Sequence, residues 1–367
     1  MHCRVHVNAG VAAMRIAQIA PLYESVPPYA YGATERIVHY LTETLVSRGH
    51  DVTLFASGDS RTSASLVAGC EGALWRDRGV WDTQAHHLHQ LGQLARCARE
   101  FDIVHFHGEP LHFPYARYLP CAHVTTLHGL LLPNDHGPLL RTFADVPLIS
   151  ISDAQRAPLP WAHWRGTVYH GMPPDELPYS ERAGEYLLFM GRITPGKRPD
   201  LAIEIACRAG VPLKIAAVVH EGERAYFHET IEPLIARHRR QVEFLGEVGG
   251  QVRASLLCGA RALLMPIDWD EPFGLVIVEA MACGTPSIAF RRGAIPEIVE
   301  DGVNGRVVDD VQGAVAAVHA IGNIDRRTCR RIFEERFTAQ RMTDDYLAIY
   351  ESLLAREPDT HASADCA

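Results

Sequence analysis

The stretch "DEPFGLVIVEAMACGTP", Asp270 to Pro286, sets Glu271 and Glu279 eight positions apart around a Phe-Gly pair, then runs into a small-residue turn. It follows the apolar run "ALLMP" (262 to 266), which reads as a buried strand, and the loop "IDWDEP". The helix that comes next is expected to start close to Phe273, with Pro272 suited to its first turn. A strand, a loop at its carboxyl end and a buried helix make the repeating unit of a parallel sheet. An unpaired carboxylate inside "LVIVEAMA" would be costly to bury, so Glu279 reads as a functional position.

The same alternation extends along most of the chain. Strands are expected at 15–20, 51–56, 102–107, 123–127 and 146–151, and again at 185–190, 212–219, 242–246, 262–266 and 286–290. Helices are expected near 199–209, 223–238, 250–258 and 273–283, followed by helices near 310–321, 326–336 and 339–355. Between the two series lies "GMPPDELPYSERAG" (171 to 184), Pro-rich and without periodicity, which reads as a linker. The fold class is therefore α/β, with two Rossmann-like domains facing across a cleft. The expected divisions are an extension at 1–13, a first domain at 14–175, a second domain at 176–338, a C-terminal helix at 339–356 and a disordered tail at 357–367. Ligands of such sheets bind beyond the carboxyl ends of the strands, so function is expected in the loops there.

Composition narrows the function classes. The 367 residues are 47% apolar and 22% charged, the balance of a soluble protein, and are long enough for two cores. A formal charge of −9 gives no overall attraction to nucleic acid. The basic runs at Arg237, Arg239 and Arg240 and at Arg326, Arg327, Arg330 and Arg331 are expected to be solvated helix faces. Nine cysteines without a C-x-x-C pair suggest neither a disulfide framework nor a zinc ribbon, and a cytoplasmic location is expected. No run of 18 apolar residues reads as a membrane span, and the first 13 residues lack the apolar stretch of a secretory signal. Met14, which opens the first strand, is an alternative start.

Eight helical residues separate Glu271 and Glu279 by about 12 Å, too far to share one scissile bond. Backbone N–H groups near Phe273, Gly274 and Leu275 lie between them at the positive end of the helix dipole, and Gly274 lets a ligand approach the main chain. The pattern suits an elongated ligand with hydroxyls at both ends and anionic charge between, as in a nucleotide-diphosphate sugar. A second motif, "YLLFMGRITPGKRPD" (186 to 200), ends a strand in Gly191 and places Arg192 and Lys197 in the following turn. Two cations there can clamp a diphosphate and stabilise it as a leaving group.

"EPFGLVIVE" resembles the E-x7-E signature of the family-4 retaining glycosyltransferases, and "GRITPGK" resembles their G-R-x4-K loop. "GAIPEIVEDGVNGRVV" (293 to 308) and "RGHDVTLFA" (48 to 56) are similar to corresponding stretches, so the resemblance spans Met14 to about Leu354. It implies the GT-B architecture, with acceptor held mainly by the first domain, donor by the second, and the last helix crossing back to the first. It implies that Glu279 accepts the ribose hydroxyls and Glu271 those of the sugar. Arg192 and Lys197 would hold the diphosphate, and the main chain at Phe273 to Leu275 would contact sugar and phosphate. His128, in "TTLHG" at a strand end, matches the family histidine that reaches across the cleft to the donor sugar; Glu297 is a weaker candidate. Base contacts are expected near Glu247 and Val248.

In the loop "PPYAYGATER" (27 to 36), relatives commonly carry two adjacent glycines, whereas this chain has Gly32 followed by Ala33. The resemblance therefore leaves open how closely the backbone there approaches the donor phosphate. His105 and His107 share a strand face, a pattern also used for metal ligands, but no later ligand set matches, so a structural or acceptor-side role is expected. The "HHLH" run at 86 to 89 reads as helix surface. "DWD" at 268 to 270 matches a metal-binding pattern of other sugar transferases, but the cations already present make a metal unnecessary. The implied activity is a metal-independent, retaining hexosyl transfer with no cofactor, from a UDP- or GDP-sugar to a saccharide, lipid or small-molecule hydroxyl. Peripheral membrane association is compatible with it. The alternatives are a nucleotide-sugar epimerase, a phosphorylase-like enzyme carrying pyridoxal phosphate on a lysine, and a non-catalytic sugar-nucleotide binder.

Overall fold

Short strands rich in Val, Ile, Leu and Ala assemble into two all-parallel sheets in a computed structural model that describes residues 13–29, 32–77 and 79–355. The expected extension, apart from Ala13, and the expected tail at 357–367 lie outside the described residues. The first sheet contains β1 (Arg15–Ile19), β2 (Asp51–Ser57), β3 (Ser65–Cys70), β4 (Ile103–Phe106), β5 (Ala122–Thr126), β6 (Leu148–Ser150) and β7 (Trp164–Thr167). The second contains β8 (Tyr186–Arg192), β9 (Leu213–Val218), β10 (Val242–Gly246), β11 (Ala260–Met265), β12 (Ser287–Phe290) and β13 (Gly305–Val308). Their orders are β3-β2-β1-β4-β5-β6-β7 and β10-β9-β8-β11-β12-β13. Each chain segment starts mid-sheet, winds to one edge and then fills the other side. The order reverses between β1 and β4 and between β8 and β11, and a crevice opens at each reversal.

Every strand expected from the sequence is present, and three more appear: β3, β7 and β13. All three are edge strands. An edge strand is covered less completely, so it needs fewer apolar residues; the whole of β7, "WRGT", is only half-buried. The helix expected at 223–238 is instead three pieces, Arg224–Tyr226, a π-helical turn Phe227–Ile231 and Glu232–Arg237. Pro233 lacks the N–H that a regular α-helix would use there, and the ladder shifts around it.

The two sheets are joined twice, side by side. Met172 N–H donates to the Phe337 carbonyl at 3.0 Å, and Ala339 N–H donates to the Met172 carbonyl at 2.9 Å. The C-terminal helix Ala339–Leu354 then crosses to the first domain and packs on the helix Ala33–Ser47 and on β5. Its Tyr346 and Tyr350 are fully buried, and each such burial contributes roughly 2 kcal/mol. One continuous apolar core consequently runs from Ile16 and Leu41 through Tyr346 and Phe337 to Ile277 and Ile288.

The arginine run at 326 to 331 is only half a solvated face. Arg327 and Arg331 pair with Glu181 and Glu335 at the surface. Arg326 is buried and donates to the carbonyls of Ser180, Cys258, Ala260 and Cys283 and to the Thr285 hydroxyl. Arg330 donates to the carbonyls of Pro174 and Ala282. A guanidinium offers five donors in a fixed fork and can satisfy several chain ends at once.

Candidate active site

The reversal between β8 and β11 brings both sequence motifs together. The turn after β8 is capped by the Thr194 hydroxyl, which accepts from Lys197 N–H at 3.2 Å. Asp268 N–H donates to the Gly196 carbonyl at 2.8 Å and laces this turn to the loop after β11. The Lys197 ammonium contacts Glu271 Oε2 and lies 4.7 Å from the centroid of the Trp269 ring. The Trp269 indole N–H donates to the same Glu271 oxygen at 2.9 Å. The carboxylate is therefore oriented from two sides.

The helix that follows begins at Leu275 rather than close to Phe273. Gly274 is its N-cap, with φ +93°, a conformation that side chains disfavour, so helical geometry cannot extend back through it. Pro272 precedes the helix, and its carbonyl accepts from the first-domain Ser152 hydroxyl at 2.7 Å. The Phe273 ring is buried edge-on against His170, with centroids 4.7 Å apart, and Phe273 is not among the residues that line the donor crevice. Glu279, 4% exposed, forms an ion pair with Arg253 of the helix Gly250–Gly259. Burial works against the Arg253 charge, but Glu279 outweighs it and holds the guanidinium above its ordinary pKa.

A cavity of about 150 Å³ collects nearly every expected donor-site residue: Gly191, Arg192, Lys197, Glu271, Gly274, Leu275 and Glu279 from the second domain, and Gly32 from the first. Ala33, Arg36 and Arg253 line it too, with Met190, Met265 and Val276 as apolar wall. Val248 and Glu247 line an adjoining recess with Gly191 and Arg253. Gly32 carries the positive φ of the first-domain loop, whereas Ala33 is the first residue of its helix. The alanine thus occupies a position that asks for no left-handed backbone.

His128 lies just past β5, outside that cavity, in a chain of hydrogen bonds that runs into the C-terminal helix. Gln18 Nε2 donates to the Tyr350 hydroxyl at 3.2 Å, so Gln18 Oε1 accepts from His107 Nε2–H at 2.6 Å. His107 Nδ1 is then a lone pair and accepts from His128 Nε2–H at 3.0 Å. His128 Nδ1 is left as an enclosed acceptor with no partner among the described residues. The Tyr350 hydroxyl in turn donates to His105 Nδ1 at 2.6 Å, and His105 Nε2–H donates to Thr126 at 2.7 Å. Burial holds His128 down to about 3, and burial with neighbouring imidazoles drives His105 and His107 well below the ordinary histidine range. All three are neutral at physiological pH. The ring of His170 stacks on His128 at 5.2 Å and connects it to Phe273.

Three other candidates have different places. Glu297 accepts from Asp153 N–H (2.9 Å), Ala154 N–H (2.7 Å) and the Tyr169 hydroxyl (2.8 Å), so it ties the domains together instead of lining the crevice. Asp268 of "DWD" is engaged by Arg292 at 3.2 Å and Arg198 at 3.7 Å. His87 of "HHLH" is not free surface: its Nδ1–H donates to the Thr83 carbonyl at 2.7 Å, and its Nε2 accepts from Leu22 N–H at 3.3 Å.

A family model described as "Glycosyl transferases group 1" matches residues 184–323, and one described as "Glycosyltransferase Family 4" matches residues 34–165. The chain belongs to the family-4 glycosyltransferases. A phosphatidyl-myo-inositol mannosyltransferase of Mycolicibacterium smegmatis is 27% identical over 84% of this chain and 84% of its own length. A D-inositol 3-phosphate glycosyltransferase of Actinosynnema mirum is 33% identical over 38% of this chain. The match covers only 33% of that protein's length, and 46% of an uncharacterized protein in the cps region of Klebsiella pneumoniae. Among solved structures, HepE of Anabaena in complex with UDP has a TM-score of 0.74 at 18% identity, covering 93% of this chain and all of that one. AviGT4, a glycosyltransferase of avilamycin A biosynthesis, has a TM-score of 0.71 at 24% identity, covering 94% of this chain and 99% of that one. These likenesses establish the GT-B fold for this chain. Sequence reading had missed Arg253, Gln18 and His170, and it gives Tyr350 a packing place in the last helix but not its hydrogen bonds. Arg253 sits in the polar-looking helix "GQVRASLLCG", where nothing local marks it as a partner for Glu279.

Proposed function

We propose that this chain is a metal-independent retaining hexosyltransferase, moving a hexose from a nucleotide-diphosphate sugar to a hydroxyl acceptor. The observation that carries this reading is the crevice at the β8–β11 reversal. There Arg192, Lys197 and a helix N-terminus supply positive charge between two anchored glutamates. Glu271 would accept hydroxyls of the sugar and Glu279 those of the ribose. Arg192, Lys197 and the N–H groups after Gly274 would bind the diphosphate, where charge grows as the glycosidic bond breaks. Both carboxylates are tied into ion pairs, and neither is assigned as a nucleophile. Retention then follows from attack on the face the diphosphate leaves, with a phosphate oxygen taking the acceptor's proton.

Supporting a nucleotide-sugar donor, HepE of Anabaena has been solved with UDP and with UDP-glucose. Supporting metal independence, two guanidiniums already hold Asp268. A cytoplasmic location is part of the same proposal; among the described residues no helix is long and apolar enough to cross a membrane. The test is a thermal-shift panel of UDP-, GDP-, ADP- and dTDP-sugars, then NMR assignment of the product anomer in excess chelator. A donor at 100 times its Kd should stabilise the fold by about 2.7 kcal/mol. No shift with any donor, an inverted anomer, or turnover that requires added magnesium or manganese would each overturn the corresponding part.

A further inference from the structure

The first sheet has its own reversal, between β1 and β4, and a cavity of about 290 Å³ opens there. Ile19 and Phe106 form an apolar floor, and the helix Thr83–Cys97 forms one wall. Half of the polar side chains around it are already committed. Gln90 donates to the carbonyls of Ala20 and Phe55, both at 3.1 Å. Both ring nitrogens of His87 are used, as described above, and His112 bonds the Thr125 hydroxyl at 2.7 Å and the Glu109 carbonyl at 3.2 Å. Glu109 and Gln84, both exposed at the cavity's mouth, and half-buried Tyr23 also line it, and their side-chain ends make no hydrogen bond or ion pair seen among the described residues.

Among the described residues, the cavity has no cation to oppose Glu109: no lysine or arginine lines it. Arg76 of the neighbouring loop is tied to Glu24 at 3.0 Å and lies over the Tyr29 ring. Burial keeps His87 and His112 below the ordinary histidine range, so neither supplies positive charge near neutral pH. Tyr23 is held between Trp75 (5.1 Å) and His87 (5.0 Å), and half-exposed Trp75 extends this aromatic rim to 6.1 Å from His220 of the second domain. A phosphorylated ligand would meet a carboxylate with no guanidinium or ammonium to balance it. A neutral sugar or polyol ring can donate adjacent hydroxyls to the carboxylate and lay its C–H face on the aromatic and aliphatic surface.

We infer that this cavity is the acceptor subsite and that it takes an uncharged sugar or polyol ring and rejects a phosphorylated one. The inference rests on the glycosyltransferase reading above for the word acceptor. Its place fits transfer: the loop that supplies Tyr23 continues to Gly32 and Ala33 at the donor crevice. Glu109 stands two residues beyond His107, which bonds His128. It also separates this chain from relatives named for D-inositol 3-phosphate, for whose phosphate the described residues of this cavity offer no cation.

Ligand-observed NMR on the full chain, without nucleotide, tests it directly. The probes are myo-inositol, methyl glucoside, D-inositol 3-phosphate and glucose 6-phosphate. The expected result is saturation transfer to a neutral probe, at least tenfold weaker transfer to its phosphorylated counterpart, and loss of the neutral signal in Glu109→Gln. A thermal shift by the donor that persists in Glu109→Gln shows that the variant is folded. Equal or stronger binding of the phosphorylated probes, no binding of either neutral probe, or an unchanged signal in Glu109→Gln overturns the inference. If no nucleotide sugar shifts the protein while the neutral probe binds through Glu109, the donor reading fails and the ring-binding site stands.

Discussion

Arg253 and Glu279 are joined as a buried ion pair across two helices, so the carboxylate at the far end of the donor crevice is anchored before a ligand arrives. Removing one partner strands a charge in a site with little water. Arg253→Ala should cost about 3–5 kcal/mol in urea unfolding. The double variant Arg253→Met with Glu279→Gln should recover much of that, because it removes both charges. A single variant that unfolds at the wild-type midpoint would show that the pair is not buried as described.

Lys197 is held by Glu271 on one side and Trp269 on the other, on a turn that other hydrogen bonds secure. Its truncation removes charge where the diphosphate departs and leaves the nearly buried Glu271 carboxylate with Trp269 as its remaining donor. Lys197→Ala is expected to lower kcat by about 10²–10³-fold, a loss that persists when activity is measured well below the variant's own lowered Tm. Arg192→Ala should behave similarly. Wild-type turnover in both variants would take the two cations out of the mechanism.

The difference between what the sequence revealed and what it hid follows from range. Glu271, Gly274 and Lys197 sit on loops after adjacent central strands and Arg192 ends one of those strands, so strand periodicity and one motif each were enough to bring them together. The edge strands β3, β7 and β13 escaped because half-covered strands need little apolar patterning. Arg253 and the hydrogen bonds of Tyr350 escaped because their partners lie 26 and 332 positions away, and nothing local to "VRA" or "AIY" encodes Glu279 or Gln18. Arg326 read as surface because a buried guanidinium and a solvated one look alike until the carbonyls around it are placed.

Tyr350 fixes the direction of the hydrogen-bond chain that ends at His128. Tyr350→Phe keeps the ring but deprives Gln18 Nε2 and His105 Nδ1 of their partner, so the Gln18 amide is free to turn over and the His107 and His128 tautomers lose their definition. The expected cost in stability is about 1–3 kcal/mol. A fall in kcat at unchanged donor KM would mark a positioning role beyond stability. If kcat holds while stability drops, Tyr350 serves packing alone.

Glu35, in the first turn of Ala33–Ser47, is pushed up to about 7, first by burial and further by nearby Glu24. A carboxyl that binds its proton more tightly when folded contributes stability that is full below the ordinary value near 4.5 and is lost as pH rises through 7. The shift corresponds to about 3 kcal/mol. Glu35→Gln should therefore gain roughly that much relative to wild type between pH 4.5 and pH 8, measured by urea midpoints. A constant difference across that range would mean that Glu35 is not buried in its charged form.

The buried imidazoles act with the opposite sign. His105, His107 and His170 are held well below the ordinary histidine range and His128 down to about 3, in each case mainly by burial. A base with a depressed pKa contributes stability that is present above the unfolded value near 6.5 and is lost as pH falls from there toward the folded value. Each such group adds about 1.4 kcal/mol of lost stability per pH unit, so four together outweigh the single gain from Glu35 in the same window. Steep cooperative unfolding is therefore expected below pH 6, with His107→Gln showing a shallower acid limb by about one proton. Loss of stability in acid with a slope near a single proton, or an unchanged slope in the variant, would show that the cluster takes up its protons without unfolding.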